Sequence, residues 1–369
     1  MESRGTYRGL KQIRLIWKIL YLVPWTKFKK CYYAWMSFIV GINTFLTLTI
    51  ILDIVFCGGI KCVLKHMTYY LAFLSKVVQY LLMLLARKKL LQLDNLFQIL
   101  DEHVVLPEDQ AVAKKAIETS HRICKYFTIA CIFCIYCKIV GFVFTLGQVT
   151  ISPVWSPFEE YIVVEFLYDS MIPHLMLLQT VANDMYPPTC FLLLNAYLKI
   201  LSQQLLRIGN EDREHPIHSN IPTLVECHVT ILKIYKILDE TVPKMFFVEL
   251  LIASILLCIS ITSIISESME PSDIMFTVVL TLSLLFQILP ICVLAHQFQS
   301  FSEELTDAAY ATNWPGQDRA FRRAILLIMQ RAQNCNPIVV CGIVPINLPT
   351  FLSIVQYAYS FSAVYSMMN

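Results

Sequence analysis

The sequence predicts an all-α membrane protein with seven transmembrane helices, a cytoplasmic N-terminus and an extracellular C-terminus. Three observations carry this prediction: the composition, the lengths of the apolar segments and the distribution of lysine and arginine. Of 369 residues, 57% are hydrophobic and 15% are charged, against about 25% charged in typical soluble proteins. A soluble domain of this length could not bury so much apolar surface. The net charge of +2 also argues against a nucleic-acid partner.

Seven apolar segments are long enough to cross a bilayer, which takes about 20 residues in a helix. The fourth is too long for one straight crossing and contains Pro173, Pro187 and Pro188, so we expect it to be kinked and to project in part from the membrane. The predicted spans are 34–56, 67–86, 126–149, 161–198, 245–265, 274–296 and 338–367.

The basic residues fix the orientation of these spans, because cytoplasmic connections carry the excess of lysine and arginine. Eight of the 29 basic residues precede the first span, whereas the predicted outer side has only Lys61 and Lys65. Lys76 and Lys138 fall inside spans, where a charge needs a partner, a cavity or the interface. Glu165 and Asp169 are candidate partners for them. The connections at 87–125 and 223–240 carry apolar residues at helical spacing, so we expect them to pack together on the cytoplasmic side rather than to lie on lipid.

The last predicted helix carries a polar stripe. On a helical wheel, Gln356, Tyr357, Ser360, Val364, Met367 and Met368 fall within about 60° of Ser353. Polar groups in a membrane helix usually face a bundle interior or water. Several copies around an axis would therefore form a wet passage with an apolar constriction at Val364 and the two methionines. Packing against neighbouring helices would produce the same stripe.

The chain has little that suggests enzyme chemistry. Cys131, Cys134 and Cys137 have metal-ligand spacing, but no histidine or acidic residue stands near them in an apolar run, so we predict no metal. Cys57 and Cys62 are the cysteines that could pair in an oxidising compartment. No nucleophile and base stand out in the connections. We therefore predict neither an enzyme nor a bound cofactor.

Four segments together resemble one receptor family. They read IWKILYLVPW, LVECHVTILKIYKILDETVPKMFFVELL, AHQFQSFSEELTDAAYATNW and CGIVPINLPTFLSIVQYAYSFSAVY. Their order within an inverted seven-span frame resembles the insect odorant receptor family, although Tyr21 stands where the family often has glycine. The residues on the family pattern are Ala309, Tyr310, Trp314, Gly342, Leu348, Thr350, Phe351, Tyr359 and Ser360.

The resemblance implies a ligand-gated, non-selective cation channel that forms a tetramer around the seventh helices. Most members pair with a shared olfactory co-receptor, which has a longer insertion between the fourth and fifth spans. This chain is short there, at 202–244, and so resembles an odorant-tuning subunit in the plasma membrane of olfactory sensory neurons. Its expected partners are the co-receptor in a heterotetramer, a small volatile odorant, membrane lipid and the permeating cations.

The resemblance also implies roles for particular residues. Val364 falls on the co-receptor's gate valine, and Met367 and Met368 fall on adjacent pore positions, which favours the pore interpretation of the stripe. Met367 replaces a glutamine there, so this subunit would contribute a less polar lining. Odorants bind among the second, third, fourth and sixth helices of the family. The matching candidates here are Tyr69, Tyr70, Phe73, Lys138, Gly141, Phe144, Thr145, Tyr168, Met171, His174, Phe276 and Val279.

We therefore divide the chain into four parts. Residues 1–33 form a cytoplasmic interfacial helix, and 34–296 form transmembrane helices one to six with the odorant pocket. Residues 297–336 form a cytoplasmic anchor between subunits, and 337–369 form the pore helix. The residues expected to carry the anchor are Tyr310, Trp314, Arg322 and Arg323.

Three alternatives remain from the sequence. A gustatory receptor of the same superfamily usually ends in TYxxxxxQF, whereas this chain ends in YSFSAVYSMMN. A G-protein-coupled receptor runs in the opposite direction through the membrane. A transporter often has internal repeats, and none is visible here.

Overall fold

The chain folds into long helices with one short hairpin near its C-terminal end. A computed structural model describes residues 7–20, 29–56, 60–144, 161–209, 221–265 and 271–368. The elements within these residues are α1 (Tyr7–Ile19), α2 (Lys29–Phe56), α3 (Ile60–Glu102), α4 (Pro107–Phe144), α5 (Ile162–Gly209), α6 (Ile221–Ile265), α7 (Pro271–Ala311), α8 (Arg319–Gln333), β1 (Val339–Val340), β2 (Val344–Pro345) and α9 (Leu348–Met368).

The seven predicted spans fall in seven separate helices, α2 to α7 and α9. Four stretches are long and apolar enough to cross a membrane by length and hydropathy, at Tyr32–Phe56, Tyr69–Glu102, Ile221–Ile261 and Thr281–Ala311. Several helices are longer than a bilayer requires. The 43 residues of α3 extend about 64 Å, roughly twice the hydrocarbon thickness of a bilayer.

The predicted cytoplasmic connections are continuations of the membrane helices. The connection at 87–102 belongs to α3, and 221–244 belongs to α6. Their apolar stripes are buried, as the burial of Leu90, Leu93, Leu224, Ile231 and Leu238 illustrates. The prediction that these stripes pack within the protein is confirmed.

α1 is docked against α3, α4 and α5. Its residues Leu10, Ile13 and Trp17 are completely buried, and the hydroxyl of Ser120 on α4 donates to the Gly9 carbonyl over 3.0 Å. Arg14 forms an ion pair with Asp94 of α3. The predicted N-terminal helix thus joins the helix bundle through one face.

α5 is one unbroken helix of 48 residues that contains Pro173, Pro187 and Pro188. It contacts α1, α3, α4, α6 and α7. Most of its residues between 179 and 201 are buried, so α5 is the central helix of the bundle. The three prolines do not interrupt α5. The kinks expected at them stay a prediction.

The region between α8 and α9 differs from the sequence prediction. Residues 338–347, predicted as the start of the seventh span, contain the antiparallel hairpin of β1 and β2. Cys341 and Gly342 adopt φ values of 51° and 69° at its turn, which breaks any helix. α9 begins only at Leu348, where the Asn347 side chain accepts a hydrogen bond from the Thr350 amide over 3.0 Å. The predicted start of the pore helix was thus about ten residues too early.

α9 is still long enough for a crossing. Its 21 residues extend about 31 Å, which matches the hydrocarbon core of a bilayer.

The predicted anchor segment, 297–336, is divided between two helices. Residues 297–311 continue α7, and α8 follows after a short turn.

Candidate functional site

One face of α9 packs on the bundle and the other is uncovered. Ala358 is buried, and Phe351 and Ile354 pack against the core. On the other face Val364 is 57% exposed and Tyr357 is 74% exposed. The uncovered face is therefore the one that carries the predicted pore residues.

The polar members of this face are largely uncovered by the part of the chain that the structure describes. Gln356 and Ser360 are exposed. Ser353 is half-buried, and its hydroxyl donates to the Pro349 carbonyl one turn earlier over 2.9 Å. Met367 and Met368 lie in the last turn of α9, and their side chains are outside the described residues. An uncovered polar face suits contact with water or with another subunit better than contact with lipid.

Two of the predicted ligand-binding aromatic residues meet α2. The Tyr70 hydroxyl of α3 donates to the Asp53 carboxylate of α2. The ring of Tyr168 on α5 lies edge-on to Phe45 of α2, with centroids 6.4 Å apart. Phe73, one turn beyond Tyr70, is buried at 1% exposure. These rings form an aromatic region between α2, α3 and α5.

Sequence reasoning missed the contribution of α2 to this region. Asp53 was visible as the one acidic residue within the first span, and an acidic residue at membrane depth marks a functional or structural polar site. Phe45 gave no signal of this kind, because an aromatic ring in an apolar run is ordinary in a membrane helix.

A second part of the predicted pocket joins α5 to α4. The His174 ring lies edge-on to Tyr136 of α4 with centroids 6.2 Å apart, and its Nδ1 lies 2.6 Å from the Ser170 carbonyl. Tyr69 is half-buried and Met171 is exposed.

The side chains of the remaining predicted pocket residues are outside the part of the chain that the structure describes. Thr145 lies outside the described residues. The structure describes only the backbone of five further candidates, on α4 and α7: Lys138, Gly141, Phe144, Phe276 and Val279.

The intramembrane lysine of α3 has a partner that the sequence did not predict. Lys76 pairs with Asp184 of α5, with Nζ to Oδ2 at 2.8 Å, and not with Glu165 or Asp169. The prediction of those two partners was wrong for Lys76, because Asp184 lies 15 residues after Asp169, about 22 Å farther along α5, and this is the level at which Lys76 meets the helix. For Lys138 it stays a prediction. Nζ of Lys76 also donates to Gln79 over 3.2 Å.

The predicted anchor residues mostly face outward. Tyr310, Arg322 and Arg323 are exposed, while Trp314 is half-buried and packs against the core. α8 buries Ile325 and Ile328, so Arg323 lies on the opposite face and Arg322 at the edge of the buried one.

A buried ion pair ties α5 to α4 on the predicted cytoplasmic side. Arg207 Nη2 lies 2.7 Å from Oδ1 of Asp109, whose side chain is fully buried. The hydrogen bonds that the Arg207 guanidinium donates to Asp109 raise its pKa. Arg207 also reaches the exposed Glu108 over 3.2 Å.

Comparisons with known proteins agree with this architecture. The family model described as 7tm Odorant receptor matches residues 59–359. Odorant receptor 33a of Drosophila melanogaster is 24% identical over 283 residues, which cover 74% of this chain and 75% of the relative. Odorant receptor 33b of the same organism is 24% identical over 279 residues, covering 73% of each chain.

Solved structures show the same fold. The insect olfactory receptor OR5 from Machilis hrabei superposes with a TM-score of 0.79 at 17% identity, over 99% of this chain and 100% of that receptor. A second structure of that receptor, in complex with eugenol, superposes equally well. The predicted all-helical, seven-transmembrane fold is thereby confirmed.

Proposed function

The chain belongs to the 7tm odorant receptor family, and from this premise we propose that it is one subunit of an odorant-gated cation channel. The family assignment made from the four sequence motifs is confirmed. The chain is a multi-pass membrane receptor, and its family consists of receptors rather than enzymes, as predicted.

The observation that carries the channel proposal is the uncovered face of α9. Gln356, Ser360 and Val364 are exposed along one side of a helix whose other side is packed on the bundle. In a tetramer with this face toward the axis, Gln356 and Ser360 contact water, and Val364 narrows the passage. A ring of apolar side chains stops ions by excluding water until the helices move apart.

The distribution of basic residues supports the proposed orientation. The N-terminus and the long extensions of α3 and α6 lie in the cytoplasm. The end of α9 then lies at the extracellular mouth of the pore. Tyr310, Arg322 and Arg323, exposed on α7 and α8, contact neighbouring subunits in the cytoplasmic anchor.

The aromatic region around Tyr70, Phe73 and Tyr168 is the proposed odorant site. Binding pockets for small ligands are mostly apolar with a few placed polar groups, and aromatic rings supply large contact areas. The structure of OR5 from Machilis hrabei is described in complex with eugenol. We assign a small volatile ligand to the aromatic region of this chain. The pocket extends to His174 on α5 and to the α4 and α7 candidates.

The proposed partner is the olfactory co-receptor, in a heterotetramer in the plasma membrane of olfactory sensory neurons. The short segment at 202–244 is typical of an odorant-tuning subunit. Met367 would give a less polar outer lining than a glutamine, so co-assembly with a subunit that has the polar residue favours conduction.

Expression with and without an insect co-receptor tests this proposal. Patch-clamp recording against a panel of volatile odorants should show odorant-evoked cation current when both subunits are present. Normal surface expression of the chain must be confirmed by extracellular labelling. Evoked current that requires GTP and does not require the co-receptor would contradict the proposal.

A further inference from the structure

A cluster of charged and amide side chains lies where α3, α5, α6 and α7 meet. Lys76 of α3 pairs with Asp184 of α5, donating to Oδ2 over 2.8 Å and to Oδ1 over 3.0 Å. Its third hydrogen bond goes to Gln79 over 3.2 Å. The ammonium group thus has a partner for each of its three protons, and Asp184 has its counter-charge.

The same cluster contains a carboxylate that this ion pair leaves uncompensated. Glu249 of α6 is 8% exposed and lines the same cleft as Asp184. With both carboxylates ionised, the cluster holds one positive and two negative charges. It therefore lacks one positive charge. A buried, uncompensated carboxylate costs several kcal/mol in a medium of low dielectric, so the site requires a further positive charge.

Two side chains aim unpartnered polar atoms into the cluster. Among the described residues, Oε1 of Glu249 and both amide atoms of Asn183 are buried without a hydrogen-bond partner, and Asn183 is 4% exposed. Buried polar atoms without partners are rare in native proteins. Two of them, Oε1 of Glu249 and Oδ1 of Asn183, are oxygens that a cation satisfies, whereas the Nδ2 donor of Asn183 needs an acceptor such as water.

A small cleft adjoins these atoms. It is lined by Gln79, Asn183, Asp184, Glu249 and Gln287 among its polar residues, and it has room for about one species the size of a water molecule. These residues offer the oxygens of two carboxylates and three side-chain amides. Carboxylate and carbonyl oxygens are the ligands that hard cations prefer.

We propose that this cleft binds one small monovalent cation, Na⁺ or K⁺, through Glu249, Asn183 and Gln287. The charge deficit of one favours a monovalent ion, because Ca²⁺ sites usually supply several carboxylates. The cation neutralises Glu249 and thereby joins α6 to the Lys76–Asp184 pair. A proton on Glu249 is the alternative way to neutralise the cluster.

The cation site adjoins the proposed odorant region on α3, because Lys76 lies three residues, about one turn, after Phe73. On α5 the two are farther apart, since Asp184 lies 16 residues after Tyr168, which corresponds to about 24 Å of helix. With the proposed orientation, the cation site lies on the cytoplasmic side of the odorant region. Its position between four helices means that occupancy changes the stability of their packing.

Thermal unfolding of the purified full-length protein in nanodiscs tests the proposal. The unfolding temperature is measured in chloride salts of Na⁺, K⁺ or N-methyl-D-glucamine, at equal ionic strength and constant pH. A ligand that binds only the folded state raises this temperature. We expect a rise of about 2 °C or more in Na⁺ or K⁺ over N-methyl-D-glucamine.

Two variants make the comparison specific. Glu249→Gln keeps the shape but removes the charge, and it should abolish the difference between salts. Glu240→Gln removes a carboxylate from an exposed position of the same helix and should leave the difference intact. If Glu249→Gln does not yield folded protein, Asn183→Leu replaces it and should reduce the difference.

The outcomes separate cation binding from its alternatives. Equal unfolding temperatures of the wild type in all three salts would overturn the proposal, as would an unchanged salt difference in Glu249→Gln. Dependence on pH without dependence on the cation would assign the site to a proton. The titratable groups to consider are then Lys76, Asp184 and Glu249, with the thiols of Cys131 and Cys292 beside them. Thermal unfolding is measured without any ion current, so its result does not depend on whether the channel proposal is right.

Discussion

Nζ of Lys76 lies 2.8 Å from Oδ2 of Asp184, and both side chains are almost completely buried. The pair joins α3 to α5 inside the membrane bundle, where neither group can exchange its partner for water. A buried pair of this kind contributes little net stability when intact, but removal of one partner is costly.

We predict that Lys76→Met destabilises the receptor by about 3–5 kcal/mol, because Asp184 then remains buried without its counter-charge. The matched control is Lys89→Met, since Lys89 pairs with Glu240 at the surface, where such a pair is worth about 0–1 kcal/mol. The fraction of receptor at the cell surface and the unfolding temperature of purified protein report the difference. Equal losses in the two variants would contradict the importance of burial.

A second prediction concerns Arg207, which pairs with the fully buried Asp109. Arg207→Ala should cost about 3 kcal/mol, because that buried carboxylate loses its counter-charge and keeps only the amide of Gln204 as a side-chain partner among the described residues. The pKa of Arg207 is raised above its ordinary value, so the stabilisation is complete at neutral and mildly alkaline pH and is lost only in strong alkali. The loss in Arg207→Ala should therefore be the same at pH 7 and pH 9 in thermal unfolding.

Glu108→Ala is the control for that experiment. Glu108 contacts the same arginine, but its side chain is 82% exposed, so we expect a change within about 0.5 kcal/mol. A loss as large as that of Arg207→Ala would show that Asp109 is not the important partner.

The proposed gate predicts a change in resting current. Val364→Ser should raise ligand-independent current when the chain is expressed with the co-receptor, because a polar ring holds water in the constriction. The control is Leu352→Ser, also at an exposed position of α9 but about 100° from Ser353 around the helix. Unchanged basal and evoked currents in Val364→Ser, at normal surface expression, would remove Val364 from the gate.

The proposed odorant region predicts a loss of sensitivity. Tyr168→Ala removes a ring that lies edge-on to Phe45, and loss of about 1.4 kcal/mol of contact corresponds to tenfold weaker binding. We expect a half-maximal odorant concentration at least about tenfold higher, measured from current responses. Tyr126→Ala, at an exposed site on α4, should leave that concentration unchanged. Equal shifts in both variants would place the site elsewhere.

The fold was largely predictable because long apolar runs fix the number of membrane helices. The start of α9 was not predictable, because Ile338, Val339 and Val340 are as apolar as the residues of a membrane helix. Hydropathy does not distinguish a β-hairpin from a helical turn in such a run. Gly342 gave the available signal, because glycine within an apolar segment indicates a break.

The polar cluster was only half predictable. Lys76 stood out as a charge within a span, but its partner depends on how far α3 and α5 are shifted along their axes, which the sequence of one helix does not reveal. Asp184 and Glu249 also lie within predicted spans and gave the same signal, since intramembrane carboxylates are rare. The polar face of α9 was found because its residues recur at helical spacing along a single helix.

The most direct test of the pore asks whether Ser360 contacts water in the open channel. Ser360→Cys is expressed with the co-receptor, and odorant-evoked current is recorded in excised patches without GTP before and after a charged, water-soluble thiol reagent. The buried position in Ala358→Cys and the wild type serve as controls. We predict that the reagent blocks the current of Ser360→Cys alone. Full odorant-evoked current in Ser360→Cys after treatment, with labelling of the cysteine confirmed, would contradict a pore lined by α9.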